Sequence, residues 1–412
     1  MSSIKPQTLK GFRDFLPSEA RKRQYVIDIL KKVFESYGFE PLETPALEYE
    51  EILTGKYGEE GDKLMYRFED RGKRKVAMRY DQTVPLARVV AQYGNELPMP
   101  FKRYQIQNVW RADNTQKGRY REFLQCDADI VGSSSLLSDV EIISVVDSSL
   151  KKLGFSKYKI KFNNRELLFK QIKQVGIQDE SAISVIRILD KIEKVGWQRI
   201  EEELKELKGI DKKAASGLFN LWQLTQPMEG EIKKIWDECS KRNIPVEPKL
   251  TLARGLDYYT GLIFEVEIDG YSAGSVCGGG RYDNLIGLFA DKQIPAVGFA
   301  FGFDRLIEAM TELKRFPDDF QTTKVLVTVF SPALLEKSIE ISSRLRSNNI
   351  DTELYLDENA SLEKQLKYAD KKGIPYAIII GPEEAAKKVV TLRNMKTRKQ
   401  IALKPEDIFK EI

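Results

Sequence analysis

The chain has no histidine among its 412 residues. That absence removes the side chain that most often moves protons near neutral pH, and it excludes Ser/His and Cys/His nucleophilic pairs. Cysteine is nearly as scarce, with Cys126, Cys239 and Cys277 as the three present. They lie far apart and match no metal-ligand spacing, so no metal site is expected in the protein itself. No apolar run is long enough to span a bilayer, and the opening MSSIKPQTLKGFRDFLP lacks an apolar signal core. A cytoplasmic protein with no membrane partner is the expectation. An excess of charge is missing too. Lys and Arg number 66 against 62 Asp and Glu, a net +4, which neither demands nor forbids a nucleic-acid partner.

What is present suits a soluble globular chain, 42% apolar and 31% charged, and long enough for two or three domains. Residues 18–37 read as an amphipathic helix, with Val26, Ile29, Leu30, Val33, Phe34 and Tyr37 at helical spacing, Ser18 as N-cap and Gly38 as stop. The proline-rich GFEPLETPALE suits an edge or an interface. FKRYQIQNVWRAD and YREFLQCDADIVG read as a long antiparallel hairpin joined by NTQKGR. Alternation puts Arg121, Phe123, Gln125, Asp127 and Asp129 on one strand face, and Leu124, Cys126, Ala128 and Ile130 on the other. A face that polar is either solvated or lines a site.

Residues 165–248 read as helical, with turn signals near Gly176, Gly196 and Gly209. Strands return in GLIFEVEI and SVCGGGRYDNLIGLF, and AVGFAFGFDRLIEAM reads as a strand running into a helix. From about Thr322, strand–helix–strand alternation implies a small α/β domain with a mostly parallel sheet. Its helices fall around Leu334–Ser347 and Leu362–Lys372, a hairpin follows, and Pro405 starts a last helix. The linker is KRFPDDFQTT.

Two stretches carry glycine beside charge. The glycines of CGGGRYDNL either let a ligand lie against main chain or make a tight turn or bulge. Arg305, at the start of the helix in GFAFGFDRL, can reach a phosphate with its planar fork. Arg111, Arg119 and Arg254 are further candidates. Interleaved with Asp81, Asp127, Asp129 and Asp257, these arginines suggest a polyphosphate site with a separate polar pocket.

GFEPLETPAL, WRADNTQKGRYREF and GFAFGFDRL resemble, in order, the three signature motifs of class II aminoacyl-tRNA synthetases. LARGLDYYTG and CGGGRYDNL are similar to two motifs of the histidyl-tRNA synthetase family, and LKGFRDFLP and RYDQTVPLARVVAQ match it as well. The resemblance covers essentially the whole chain. It implies an α+β fold: an antiparallel sheet flanked by helices over 1–164 and 249–320, a helical insertion over 165–248, and an α/β anticodon-binding domain over 323–412. It implies activation of L-histidine by ATP with Mg²⁺, transfer to the terminal ribose of tRNA(His), a homodimer built through the first motif, and no tightly bound cofactor.

The roles it implies are specific. Arg111 resembles the arginine that holds the α-phosphate, Arg254 the additional catalytic arginine near that phosphate and the histidine carboxylate, and Arg305 the arginine at the γ-phosphate. Phe123 would stack on adenine and Arg119 would help hold the triphosphate. Asp81, Thr83 and Gln125 match positions that bind the amino-acid backbone groups. Asp129 and Tyr259 would bond opposite edges of the imidazole, Tyr258 would close the pocket, and Gly278 and Gly279 would give the ring room. Asn114, Gln116 and Lys117 would approach the tRNA acceptor end. Leu124 departs from the histidine or tyrosine of many relatives, and Asp129 from the glutamate of many bacterial ones. The alternative is a paralogue that binds histidine as a regulatory subunit of the ATP phosphoribosyltransferase complex. Such paralogues typically lack the anticodon-binding domain.

Overall fold

The computed structural model describes residues 4–56, 58–115, 118–207, 210–223, 228–254, 258–317 and 323–412. The chain divides into two compact units, Met1–Phe316 and Pro317–Ile412.

In the first unit the described residues build an eight-stranded sheet. In spatial order its strands are Glu40–Pro41, Phe101–Trp110, Glu122–Val131, Ala296–Gly302, Cys277–Arg281, Leu262–Ile268, Tyr158–Asn164 and Val246–Pro248. The inner pairs are antiparallel, and the short strands at both edges pair parallel with their neighbours. Glu40–Pro41 sits at an edge, where proline's missing N–H leaves no ladder bond unmade.

The two faces of this sheet bury different chemistry. One is closed by apolar helices. Pro17–Ser36 buries Val26, Leu30, Val33 and Phe34 there, beside Leu136–Lys152, Gly230–Lys241 and Phe303–Glu312. Cys126, Ala128 and Ile130 point into this core. The first of these helices starts one residue earlier than expected. Pro17 takes its first turn, where a fixed φ and no donor fit, and the N-cap is Leu16 rather than Ser18. Gly38 stops the chain at φ +77 as expected.

The other face meets the helix Thr83–Tyr93, a three-stranded sheet of Leu47–Tyr49, Lys75–Met78 and Arg67–Glu69, and the helices Arg165–Gln174, Asp179–Leu189, Ile192–Glu206 and Lys212–Gln223. Gly196, at φ +78, breaks the third of these. The stretch 165–248 does not pack as one body. Ile232, Ile235 and Cys239 of Gly230–Lys241 join the core on the first face, and Val246–Pro248 completes the main sheet. The CGGGR segment is neither a turn nor a bulge; it forms an inner strand paired on both sides.

In the second unit Thr352–Leu354, Val325–Val327 and Tyr376–Ile379 pair parallel, and Val390–Asn394 and Gln400–Leu403 extend the sheet antiparallel. The helices are Leu335–Ser347, Leu362–Lys372 and Pro382–Lys387. Gln365, fully buried, ties the second helix to the sheet. It donates to Val329 O at 2.7 Å and Ala360 O at 2.9 Å, and accepts from Val329 N at 2.9 Å. After Pro405 the chain makes only a 3-10 turn, Ile408–Lys410, instead of a helix.

Candidate active site

The site lies on the polar face of Glu122–Val131. Gln125, Asp127 and Asp129 are all buried there, so the face is not solvated. Burying so many polar groups demands partners for them.

Asp129 is held from three directions. Arg103, its direct cross-strand neighbour, pairs Nη2 with Asp129 Oδ2 at 2.8 Å. Tyr282 donates its phenol hydrogen to Oδ1. On the adjoining strand a Cβ at Gly298 would come within 1.9 Å of Oδ1, so only glycine leaves this carboxylate its place. Burial pushes the Asp129 carboxyl above the usual range. Arg103 and the Tyr282 hydrogen bond work against that, and Asp81 adds to it. Burial pushes Asp127 further up, opposed by Arg103 and Arg111 and reinforced by Asp129 and Asp81.

Asp81 and Thr83 stand where the chain enters the helix Thr83–Tyr93. Asp81 Oδ1 accepts from Val84 N at 3.1 Å, holding that helix end. Gln82, between them, donates to Gln107 O at 2.8 Å and so fixes the segment against the hairpin. Tyr258 and Tyr259 pack with ring centroids 4.9 Å apart, and Tyr258 meets Tyr282 at 5.8 Å. Burial raises the pKa of both phenols. For Tyr258, the neighbouring Tyr259 and Asp81 add to it and a hydrogen bond with Thr83 opposes it. For Tyr259, Arg254 and the Tyr258 hydrogen bond oppose it, and Asp129 and Asp127 add to it. Both tyrosines therefore stay neutral hydrogen-bonding groups.

The glycine strand forms the next wall. Its residues alternate in direction, and the two glycines expected to make room for an imidazole have other duties. A Cβ at Gly278 would fall 1.8 Å from Arg254 Nη1, so this glycine makes space for the arginine. Gly279 faces the opposite side, where a Cβ would meet Gly298 O at 2.3 Å and Phe264 and Phe299 at 2.7 Å. Gly280 is the one beneath an aromatic wall of the pocket, with a Cβ 2.8 Å from Tyr259 Cδ1.

Arg254 pairs with Glu265 at 2.9 Å and lies 5.7 Å from the Tyr259 ring centroid. Arg111 donates from Nε to Tyr80 O at 3.1 Å, with its guanidinium 4.3 Å from the Tyr80 ring and 5.2 Å from that of Phe123. Arg305 donates to Ser275 O at 2.9 Å and stands beside both Gly118 and Gly274. Its helix start is anchored because Asp304 pairs with Arg13 at 2.9 Å and Arg23 at 2.6 Å, both from the N-terminal segment. Arg119 stays on the exposed hairpin loop, 3.4 Å from Asp113, and Asn114 is exposed beside it. Gln116, Lys117 and Asp257 lie outside the described residues.

Several polar atoms on this face are buried without a hydrogen-bond partner among the described residues. They include Gln125 Oε1 and Arg254 Nε. Orphaned atoms beside buried charge mark the place of a polar ligand. Residues missed in the sequence reading are Arg103, Tyr282, Glu265, Gly280 and Gly298. The hairpin register could have found Arg103, since alternation puts positions 103, 105 and 107 on the polar face opposite 129, 127 and 125.

An antiparallel sheet with arginines at its rim, a glycine strand beneath one of them and a polar pocket in its floor is the catalytic architecture of a class II aminoacyl-tRNA ligase. A family model described as histidyl-tRNA synthetase matches residues 11–306, and an anticodon binding domain model matches 324–412. A histidine–tRNA ligase of Gloeobacter violaceus is 41% identical, with 95% of each chain covered. That of Cytophaga hutchinsonii is 39% identical over 99% of each. The crystal structure of histidyl-tRNA synthetase from Nostoc sp. matches with a TM-score of 0.86 at 29% identity, both chains wholly covered. The chain belongs to the histidyl-tRNA synthetase family. A Bacillus halodurans structure titled ATP phosphoribosyltransferase regulatory subunit/histidyl-tRNA synthetase shares the fold, with a TM-score of 0.75 at 23% identity.

Proposed function

We propose that the buried pocket holds L-histidine and that the arginine rim above it holds ATP, so that the chain makes histidyl-adenylate and passes the histidyl group to tRNA(His). The observation that carries this reading is the cluster of buried polar groups around Asp129 and Tyr259, where Gln125 Oε1 and Arg254 Nε have no hydrogen-bond partner among the described residues. A ring with two nitrogens needs a partner for each, and an apolar ring of similar size would offer these buried groups neither hydrogen bond. Asp81, Thr83 and Gln125 take the ammonium and the backbone polar groups. Arg254, at Gly278, faces the carboxylate.

A chain without histidine can run this reaction because the substrate brings its own nucleophile. A histidine carboxylate oxygen attacks the α-phosphorus, the bond to the β-phosphate bridging oxygen breaks, and pyrophosphate leaves. No proton need be removed. The work left to the protein is alignment and charge stabilisation. Arg111 and Arg254 serve the α-phosphate, Arg305 the γ-phosphate, and Phe123 stacks on the adenine. Mg²⁺ enters with the triphosphate as part of the substrate. In the second step a ribose hydroxyl of the tRNA end attacks the activated carbonyl, the bond to the phosphate oxygen breaks, and AMP leaves with the hydroxyl's proton on its phosphate. Asn114, Gln116, Lys117 and Arg119, on the hairpin loop, are the groups we assign to the acceptor end and the triphosphate.

The exposed Leu47, Tyr49 and Phe68 of the small sheet support a homodimer built on that side. No helix among the described residues is long and apolar enough to cross a membrane, in keeping with a cytoplasmic enzyme. Histidine-dependent ATP–pyrophosphate exchange tests the reading, with other amino acids as controls. Exchange confined to histidine is expected, and Arg254→Ala should lower it by about 10²–10³-fold. A folded protein that binds histidine without exchange would move the regulatory reading to first place.

A further inference from the structure

The strand face that supplies Asp129 contains a cation that the mechanism above leaves without a task. Arg103 is fully buried, which is unusual for arginine. It sits directly across the strand pair from Asp129 and pairs with it at 2.8 Å. Its remaining contacts hold it still: Nη1 donates to Gln105 Oε1 at 3.2 Å, and Nη2 reaches Gln82 O at 3.4 Å, beside Asp81. We propose that Arg103 is a positioning residue for histidine selection, fixing the Asp129 carboxylate as the acceptor for a substrate ring N–H. The inference rests on the assignment of Asp129 to the imidazole.

Geometry and charge agree on this. Gly298 and Tyr282 confine Asp129 Oδ1, and Arg103 pulls Oδ2, so the carboxylate has one place to be. The ionisable groups facing it are Arg103 on the paired strand, Asp127 on its own strand, Asp81 before the helix Thr83–Tyr93, Tyr259, and Tyr282 after the glycine strand. With Asp129 itself, the carboxylates buried beside Arg103 are three: Asp81, Asp127 and Asp129. Burial drives Asp129 toward its protonated form, and Arg103 is the largest influence against it. A protonated Asp129 would turn one acceptor into a donor and invert the pattern the ring must match. Removing one partner from such a pair leaves the other buried and uncompensated.

The test is ATP–pyrophosphate exchange on the full chain, varying histidine and ATP separately, for the wild type, Arg103→Met, Arg103→Lys, Asp129→Asn and the double variant Arg103→Met/Asp129→Asn. Arg103→Met should raise the histidine KM on the order of 30-fold, the scale of a hydrogen bond to a charged group. The ATP KM should stay within about 2-fold, and Arg103→Lys should restore most of the loss. Adding Asp129→Asn to Arg103→Met should change the histidine KM by less than about 3-fold, because the two act as one unit. The effect of Arg103→Met, taken as a ratio to wild type, should shrink as pH rises and the carboxylate is regained.

Should Arg103→Met fail to fold, the double variant lacks the uncompensated charge and is compared with Asp129→Asn, where equal histidine KM values are expected. An unchanged histidine KM in Arg103→Met, equal losses for histidine and ATP, or effects that multiply in the double variant would overturn the inference. A wild type without histidine-dependent exchange would overturn the pocket assignment itself. That differs from a wild type that exchanges normally beside an inert Arg103 substitution.

Discussion

Arg281 and Tyr282 are neighbours in the chain and reach two different aspartates. Arg281 grips Asp139 with both sides of its fork, at 2.8 and 3.0 Å, and also donates to Ser133 O at 3.0 Å and Asp283 at 3.2 Å. Tyr282 turns the other way and donates to Asp129. Both aspartates are buried and both face an arginine. The first cluster satisfies itself, pinning the start of the helix Leu136–Lys152 to the sheet. Around the second, Arg103 Nε and Gln125 Oε1 lack partners among the described residues. Completeness of pairing, more than burial or charge, separates a structural clamp from a ligand site.

Breaking the clamp should have the largest effect on stability. Asp139→Ala leaves the Arg281 guanidinium buried without its carboxylate, which costs about 3–5 kcal/mol. Urea unfolding should show that loss, and the fraction that remains folded should keep its histidine KM. A shifted KM without lost stability would erase the distinction between the two clusters.

The glycine strand offers the same contrast one residue apart. Gly278→Ala would displace Arg254 Nη1, the far end of a flexible side chain, so exchange should fall about 10-fold or more while the melting temperature barely moves. Gly279→Ala would strike Gly298 O and two core phenylalanines, and should destabilise by about 1–3 kcal/mol. Equal effects of the two on either readout would mean that the strand does not divide site from core.

How much of this was legible depends on distance along the chain. The helix around Val26–Phe34 and the hairpin were readable because periodicity is local. The glycine strand was visible as composition. What each glycine faces was not, because the answer lies in Arg254 and Phe264, on other segments. Alternation put Gln125, Asp127 and Asp129 on one face but could not say whether water or a cavity met them. The segment at Asp81 and Gln82 and the rings of Tyr259 and Tyr282 close on that face, and no local pattern announces such a cover. Family motifs supplied Arg111, Arg254 and Arg305. They passed over Arg103 and Tyr282, whose meaning comes only from pairing with Asp129. At Ser18 the fixed φ of Pro17 won the helix start, and after Pro405 the chain makes a single turn.

Tyr282→Phe should give the smallest and most discriminating effect. It removes one oxygen and keeps the ring that packs against Tyr258. Loss of one hydrogen bond to a charged acceptor that retains Arg103 should raise the histidine KM about 5–10-fold, with the ATP KM unchanged. The phenol hydrogen bond holds the Asp129 pKa down, so its removal lets that pKa climb. The ionised acceptor then forms at higher pH than in the wild type. The ratio of mutant to wild-type histidine KM should therefore be largest in acid and decline as pH rises. A ratio independent of pH would mean that Tyr282 shapes the pocket without setting the charge on Asp129. That would leave Arg103 alone in that role and widen the contrast between Tyr282 and its neighbour Arg281.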